Sequence, residues 1–566
     1  MDNRSIVKIL DSVTTLMDIH DESPQKVKSY ANAIFNLERF GQPLVGKTKE
    51  ELMKINGVGK GMAAAIEEIV TKGSLAYHEE LLQNTPEGIL ELLSVRGIGA
   101  SKIKTAWKEQ GIDTVEKMLE ACENRSIEKL KGFGSKSVQN ILHSILFYLD
   151  NKNKLLLSGA WEVYEKYRGR LQEMLPESKI SVTGSLRRSF EVIERVSLLV
   201  EKNDDVPVET MAVGLQDYTP DIQQSGPFAL RGKDTSGVLV EILFCNGEDF
   251  EEKLFLTTGS PAHFNALEQQ GIQVKDLFNG HHFLNEEEIY QSRELAYITP
   301  ELREGTFEVA MAREKQLPGL LTDHDLKGVL HTHSTYSDGR NTLLEMAEAC
   351  RDMGYQYLGI ADHSKSAFFY ANGLFEQRVR EQHEEIEALN KKLAPFKIFK
   401  GIESDILIDG NLDYDDEILG TFDFIVASVH SVLNMDKAKA TTRLLRAIDN
   451  PYTTIVGHLT GRILLQREGF PLDHKQIIDR CALNNVVIEI NAHPSRLDLD
   501  WRWVQYAIEK GVMLSINPDA HSTEGFSDMA YGVAIGRKGG LTAGQTLNAM
   551  SMADIEDFFR KRKNKG

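Results

Sequence analysis

The sequence predicts a multidomain chain: an all-α N-terminal region, a mixed α+β middle and a C-terminal α/β barrel. Three observations carry this. The 566 residues exceed what a single hydrophobic core supports. Apolar spacing through residues 1 to 145 is helical, interrupted by three Gly-x-Gly turns. From residue 326 short apolar runs alternate with longer amphipathic segments, the pattern of repeated βα units.

The N-terminal turns come first. "LMKINGVGKGMAAAI" (52–66), "LSVRGIGASKIKTAW" (93–107) and "LKGFGSKSVQNIL" (130–142) each place a glycine pair before a helical run. The pairs Gly57/Gly59, Gly97/Gly99 and Gly132/Gly134 allow positive φ and close backbone approach. The amides of the helix that follows attract a phosphate, and Lys60, Lys102 and Lys136 add charge. This is the logic of a helix-hairpin-helix, which grips the DNA backbone without reading its sequence. Ser126, before "IEKL", is expected to cap a further helix.

Composition sets limits on the rest. A formal charge of −19 argues against a protein that coats nucleic acid nonspecifically, while leaving local contacts open. The terminal "RKRKNKG" is expected to be solvated. Cys122, Cys245, Cys350 and Cys481 are far apart with no CxxC spacing, so isolated reduced thiols are expected. No run of 18 apolar residues occurs, and the first residues lack a signal-peptide pattern, so a cytoplasmic protein away from membranes is expected. No protein partner is indicated.

The middle carries "GSLRRSFEVIERVSLLV" (184–200), "TTGSPAHFNAL" (257–267) and "AYITPELREG" (296–305). With the three preceding turns, these motifs resemble a bacterial family X DNA polymerase, in order and over the whole chain. The resemblance implies helix-hairpin-helix segments at 1–80 and 81–145, a nucleotidyl-transferase palm at 146–250 and a thumb at 251–318. It also implies three palm carboxylates that hold two Mg²⁺ ions. Here those positions are Arg195, Ser197 and Glu241. A guanidinium cannot ligate Mg²⁺ and a serine hydroxyl is a poor substitute for a carboxylate, so polymerisation is expected to be lost. Glu194, Phe264 and Glu268 are further departures, and the position implied for a lyase lysine is Ala65. Gly184, Ser185 and Arg188 survive, either to cradle a phosphate or only to hold the turn. Asp204 or Asp205 in "EKNDD" lie too far along to replace the lost pair.

In the last part, "LKGVLHTH", "YLGIADH", "IFKGIES", "FIVASVH", "TIVGH", "VVIEIN" and "VMLSINPDAH" read as barrel strands. Six end at or near a His or acid, and the C-terminal ends of barrel strands converge on one rim. The candidate metal ligands are His331, His333, Asp338, His363, Glu403, His430, His458, Asp519 and His521. Period-2 alternation puts His331 and His333 on the same side, and likewise Asp519 and His521. "HTHSTYSDG", "GIESDI", "VASVHS", "EINAHPSRLDL" and "NPDAH" resemble a PHP (polymerase and histidinol phosphatase) domain, a distorted (β/α)7 barrel spanning 319–566. The resemblance implies a trinuclear site. His331, His333, Glu403 and Asp519 hold one ion, Glu403 bridges to a second on His430 and His458, and Asp338, His363 and His521 hold the third. Clustered dications stabilise a bridging hydroxide as nucleophile, so no side-chain nucleophile is required. The resemblance favours Mn²⁺, while the ligand types also suit Zn²⁺ or Fe²⁺. Arg462 and Arg496 are candidates to clamp the substrate phosphate. His281, His282 and His493 have no partner pattern.

The expected function is a metal-dependent 3′–5′ exonuclease on gapped, nicked or 3′-ended DNA, in base-excision repair or 3′-end processing, with possible cutting at abasic sites. A phosphatase on a small phosphomonoester such as histidinol phosphate and an active gap-filling polymerase are the alternatives.

Overall fold

The computed structural model describes residues 3–38, 40, 42–202, 208–278 and 281–563. Asp204 and Asp205 lie outside the described residues. The chain forms two compact units, Met1–Lys152 and Asn153–Gly566.

The first unit is all helical around two cores, one from Ile6 to Leu81 and one from Ile19 to Ile145. In each glycine pair only the first member needs left-handed backbone: Gly57, Gly97 and Gly132 have φ of +80°, +94° and +89°. The second, Gly59, Gly99 and Gly134, is extended and caps Lys60–Lys72, Ala100–Gln110 and Ser135–Asn151 without a side chain. A Cβ on any of these three caps would meet nothing within 4 Å, so each helix N-terminus stands open to an approaching group. Ala65 is buried in the first core. Two expectations need correction. Ser126 begins the short helix Ser126–Lys129 instead of capping it, and Asn124 Oδ1 accepts its N–H at 2.8 Å. The boundary expected after residue 145 falls inside Ser135–Asn151, whose buried Val138, Ile141 and Ile145 belong to the second core.

The second unit opens with a five-stranded mixed sheet, β1 (Ile180–Thr183), β2 (Arg195–Glu201), β3 (Tyr218–Pro220), β4 (Ala229–Asp234) and β5 (Leu239–Cys245), in the order β1-β2-β5-β4-β3. A separate apolar cluster from Phe255 to Ala312 follows. Buried Glu286 ties it to the sheet: its carboxylate accepts from Arg187 Nη1 and Nη2 at 3.0 and 2.5 Å and from fully buried Arg303 at 2.5 Å.

Seven parallel strands then close a barrel: β6 (Gly328–Thr332), β7 (Tyr357–Ile360), β8 (Lys397–Asp405), β9 (Phe424–Ser428), β10 (Ile455–Val456), β11 (Val487–Asn491) and β12 (Leu514–Asn517). Each matches one of the seven apolar runs. Neighbours in space are neighbours in sequence, and a bridge between Thr332 and Ala520 brings the two ends together. The floor is apolar, with Phe559 of the helix Met552–Lys563 stacked on Phe424 at 5.3 Å. A Cβ on Gly401 would lie 2.3 Å from the Phe424 ring, so that position has room only for glycine. The basic tail is not wholly solvated: Arg562 is buried and donates to the carbonyls of Thr453, Asn484 and Asn485.

Barrel and mixed sheet share one apolar core. Lys538 Nζ, buried at that junction, donates to the Arg188 carbonyl at 2.8 Å and to Glu304 at 2.5 Å, over the Phe190 and Trp501 rings. Burial pushes its ammonium down to about 8 despite Glu304. Glu191 accepts from Trp501 Nε1 and Arg502. The four cysteines are unpaired and buried. No helix among the described residues is long and apolar enough to cross a membrane.

Candidate metal centre

Of the two places where the resemblance puts cations, only the barrel rim was expected to keep its ligands, and the two differ in charge. On the mixed sheet, Ser197 and Glu241 are register partners. Arg231 donates to Glu241 Oε1 at 2.6 Å, Arg195 approaches the same oxygen at 3.6 Å, and Ser197 Oγ donates to Oε2 at 3.3 Å. Two guanidiniums thus face one carboxylate, where a dication requires excess negative charge. Gly184, at φ +68°, turns the chain against Ser197. Ser185 accepts the Phe190 N–H through its carbonyl. Arg188 is committed to protein partners, donating to Glu304 at 2.9 Å and to the Thr258 carbonyl at 2.7 Å. Its fork holds the cluster from Phe255 to Ala312 rather than facing an open phosphate site.

At the barrel rim all nine candidate residues come together. Glu403, the last but two residue of β8, is central and fully buried. Its Oε1 stands 3.0 Å from His458 Nε2, 3.2 Å from His430 Nε2 and 3.3 Å from His331 Nε2. Its Oε2 stands 2.9 Å from His363 Nδ1 and 3.7 Å from His333 Nε2. Asp519 Oδ1 is 3.1 Å from His333 Nε2, and Asp338 Oδ1 is 3.4 Å from His521 Nε2 and 3.7 Å from His363 Nε2. Two donors each about 2.1 Å from one ion stand roughly 3.0–3.4 Å apart, and five of these eight separations fall in that range. Three groups are close enough to share an ion: His333, Asp338, His363 and His521; His331, His333 and Asp519; and His363, Glu403 and His430.

The orphaned atoms test the fit. His331 Nε2, His363 Nδ1 and Glu403 Oε2 are buried without a hydrogen-bond partner. The last two are only 2.9 Å apart, yet not hydrogen-bonded. Buried polar atoms left unsatisfied are costly, and their lone pairs converging on shared points fit a cation there.

The local backbone differs from the simple alternation expected. β6 ends at Thr332 with a register shift after Val329, and His331 has φ +53°. Asp519, also at φ +53°, lies beyond the end of β12. The rings of His331 and His333 still approach to 5.4 Å, through a bulge and strained left-handed residues rather than a period of 2.

Sequence reasoning missed the supporting carboxylates. Glu489 on β11 accepts from His331 Nδ1 at 2.6 Å and from the His458 N–H at 2.7 Å, and Asp405 accepts from His430 Nδ1 at 2.5 Å. Each engages the ring nitrogen away from the cluster, so that Nε2 faces inward. Their signal was present: an acid inside the otherwise apolar "VVIEIN", and a second acid two residues after Glu403. Of the two candidate phosphate clamps, Arg496 sits at the cluster, 3.4 Å from Asp519. Arg462 does not: its guanidinium donates to the Arg496 and Leu497 carbonyls and to Asp500. His493 belongs to none of these three groups and accepts from the Ser495 N–H.

Electrostatics follow from this crowding. Burial works to lower His430, but Glu403 and Asp405 overcome it and raise it to about 10. Burial likewise opposes His521, which Asp338 and Asp519 raise to about 9. Burial and the neighbouring His521 and His363 push His333 down to about 3. Burial raises Glu403, and the surrounding histidines outweigh it to hold the carboxyl well below its ordinary range. Cations therefore bind in competition with protons on His430 and His521. Uptake of Mn²⁺ at pH 7 is expected to release protons, and affinity to rise as pH climbs from 7 toward 9–10. Calorimetry in buffers of different ionisation heat reads the proton count; a count of zero would contradict this.

The comparisons agree with the geometry. A helix-hairpin-helix domain model matches residues 1–75, a SAM-like helix-hairpin-helix tandem model residues 89–145, and a PHP domain model residues 330–493. The DNA polymerase/3'-5' exonuclease PolX of Bacillus subtilis (strain 168) is 33% identical over 581 residues, covering 99% of this chain and 100% of that protein. A probable phosphatase of Thermoanaerobacter sp. (strain X514) is 26% identical over 259 residues, 42% of this chain and 98% of its own. The helix-hairpin-helix segments indicate DNA binding, and a PHP domain with these clusters indicates an enzyme that binds divalent metal. The chain belongs to the PolX family of DNA polymerase/3'-5' exonucleases.

Proposed function

We propose that this chain is a metal-dependent 3′–5′ exonuclease that acts on DNA through its barrel centre, and that its palm no longer polymerises. The observation that carries the reading is the gathering of nine rim residues with orphaned inward atoms, eight of them in groups close enough to share an ion and His458 against Glu403, in a chain that also presents three open helix N-termini. The neutralised Glu241 supports the loss of polymerisation. Repair of gapped, nicked or 3′-blocked DNA is the process such an enzyme serves, with abasic-site cleavage a further use of the same centre.

We assign three ions to the nine ligands, with Mn²⁺ preferred over Zn²⁺ and Fe²⁺. Bound there, they supply an activated water and polarise the phosphoryl oxygens. The chain's own residues do the rest. Glu403 joins the ligand groups, Glu489 and Asp405 orient His331 and His430, and Arg496 offers a guanidinium to the phosphate. Asp338 and His521, about a third exposed, mark the side from which substrate enters.

The test uses a 5′-labelled primer on a gapped template with Mn²⁺, with and without dNTPs, for wild type and His333→Ala. Shortening in both wild-type reactions, lost in the variant, is expected. Extension with dNTPs would overturn the silent palm. No change in any reaction, with turnover of a small phosphomonoester, would favour a phosphatase of the kind named among the relatives.

A further inference from the structure

Resting on the exonuclease reading, we infer that an aromatic loop beside the metal centre stacks the unpaired bases at the substrate's 3′ end. The segment leaves the barrel directly after His363 and returns to it: the Leu374 N–H donates to the His363 carbonyl at 2.9 Å, and Ser364 and Leu374 form a bridge. The stretch "AFFYANGLF", from within the segment to just past its return, holds Phe368, Phe369, Tyr370 and Phe375, all exposed, with Phe369 at 87%. Four solvated aromatics in eight residues are costly to display on a protein surface unless something covers them.

Two residues fix this segment against the cage. Tyr370 OH lies 3.4 Å from Asp405 Oδ2, on the carboxylate that holds His430. Asn372, at φ +52°, donates to the carbonyls of Tyr336 and Ser337, the residues just before Asp338. The loop thus stands between the end of β8 and the segment that carries Asp338, on the side where Asp338 and His521 reach solvent. Phe368 packs edge-on against Phe369 at 5.5 Å and against Phe375 at 5.1 Å.

The occupant follows from position. A phosphodiester seated on the ions carries its flanking bases one sugar away, against whatever wall adjoins the cage. Every base has a π-face, so aromatic rings hold single-stranded ends without regard to sequence. A lid of apolar protein would fit the rings equally well, but nothing would then require them to adjoin the ligands.

The test is a thermodynamic cycle on the full-length protein with Mn²⁺. One arm is Phe369→Ala; the other is a single strand whose two 3′-terminal bases are replaced by abasic tetrahydrofuran. Each change alone is expected to raise KM roughly tenfold, about 1.4 kcal/mol, with kcat nearly constant, and the two together no more than either alone. Phe369→Trp should restore the wild-type KM, and Phe369→Leu, equally apolar, should not. Additive effects, or full rescue by leucine, would overturn the stacking role. Wild type that shortens neither strand would instead overturn the exonuclease reading on which it rests.

Discussion

Glu403→Gln is expected to abolish 3′-end shortening, by at least ~10³-fold, about 4 kcal/mol of transition-state stabilisation. The substitution keeps size and shape but removes the charge that four histidines face within 3.3 Å. With only Asp519 and Asp338 left to balance dications, the bound-metal count per chain should fall as well. Metal analysis after gel filtration, beside the rate, checks both. A variant that keeps full metal content and a rate within tenfold of wild type would show that Glu403 is not the bridge.

Glu286→Ala is expected to cost about 3–5 kcal/mol, because it strands fully buried Arg303 and mostly buried Arg187 without a counter-charge. Burial raises the Glu286 carboxyl, and the two arginines outweigh it to hold it below the ordinary value. A carboxylate depressed in the folded state stabilises above its unfolded pKa, and that contribution is lost as pH falls through the folded value. Urea melts should therefore show the largest gap between wild type and variant near neutral pH, and a narrowing gap in acid. A gap that widens in acid would refute the assignment.

What the sequence made legible was whatever depends on local chemistry. Positive-φ glycines, helical spacing and strand-end histidines are each visible within a dozen residues, and the three turns, the seven barrel strands and the gathering of the nine rim residues all appear in the structure. What stayed hidden depends on distant partners or on irregular backbone. Arg188 meets Glu304 across more than a hundred residues, and Arg462 spends its fork on carbonyls that no motif announces. The bulge at His331 breaks the alternation used to align it with His333. Glu489 and Asp405 read as ordinary acids in strand segments, because their roles exist only once histidines from other strands fold against them.

The junction around Lys538 bears on how such motifs should be weighed. Arg187, Arg188, Phe190 and Glu191, within or just after "GSLRR", now fasten three parts of the second unit to one another. The motif thus serves as a mechanical joint as well, and losing it would loosen the neighbouring barrel. Under the proposed loss of polymerisation, counting genomes by that motif alone overstates their gap-filling enzymes; the carboxylates on the following strand are the feature to count.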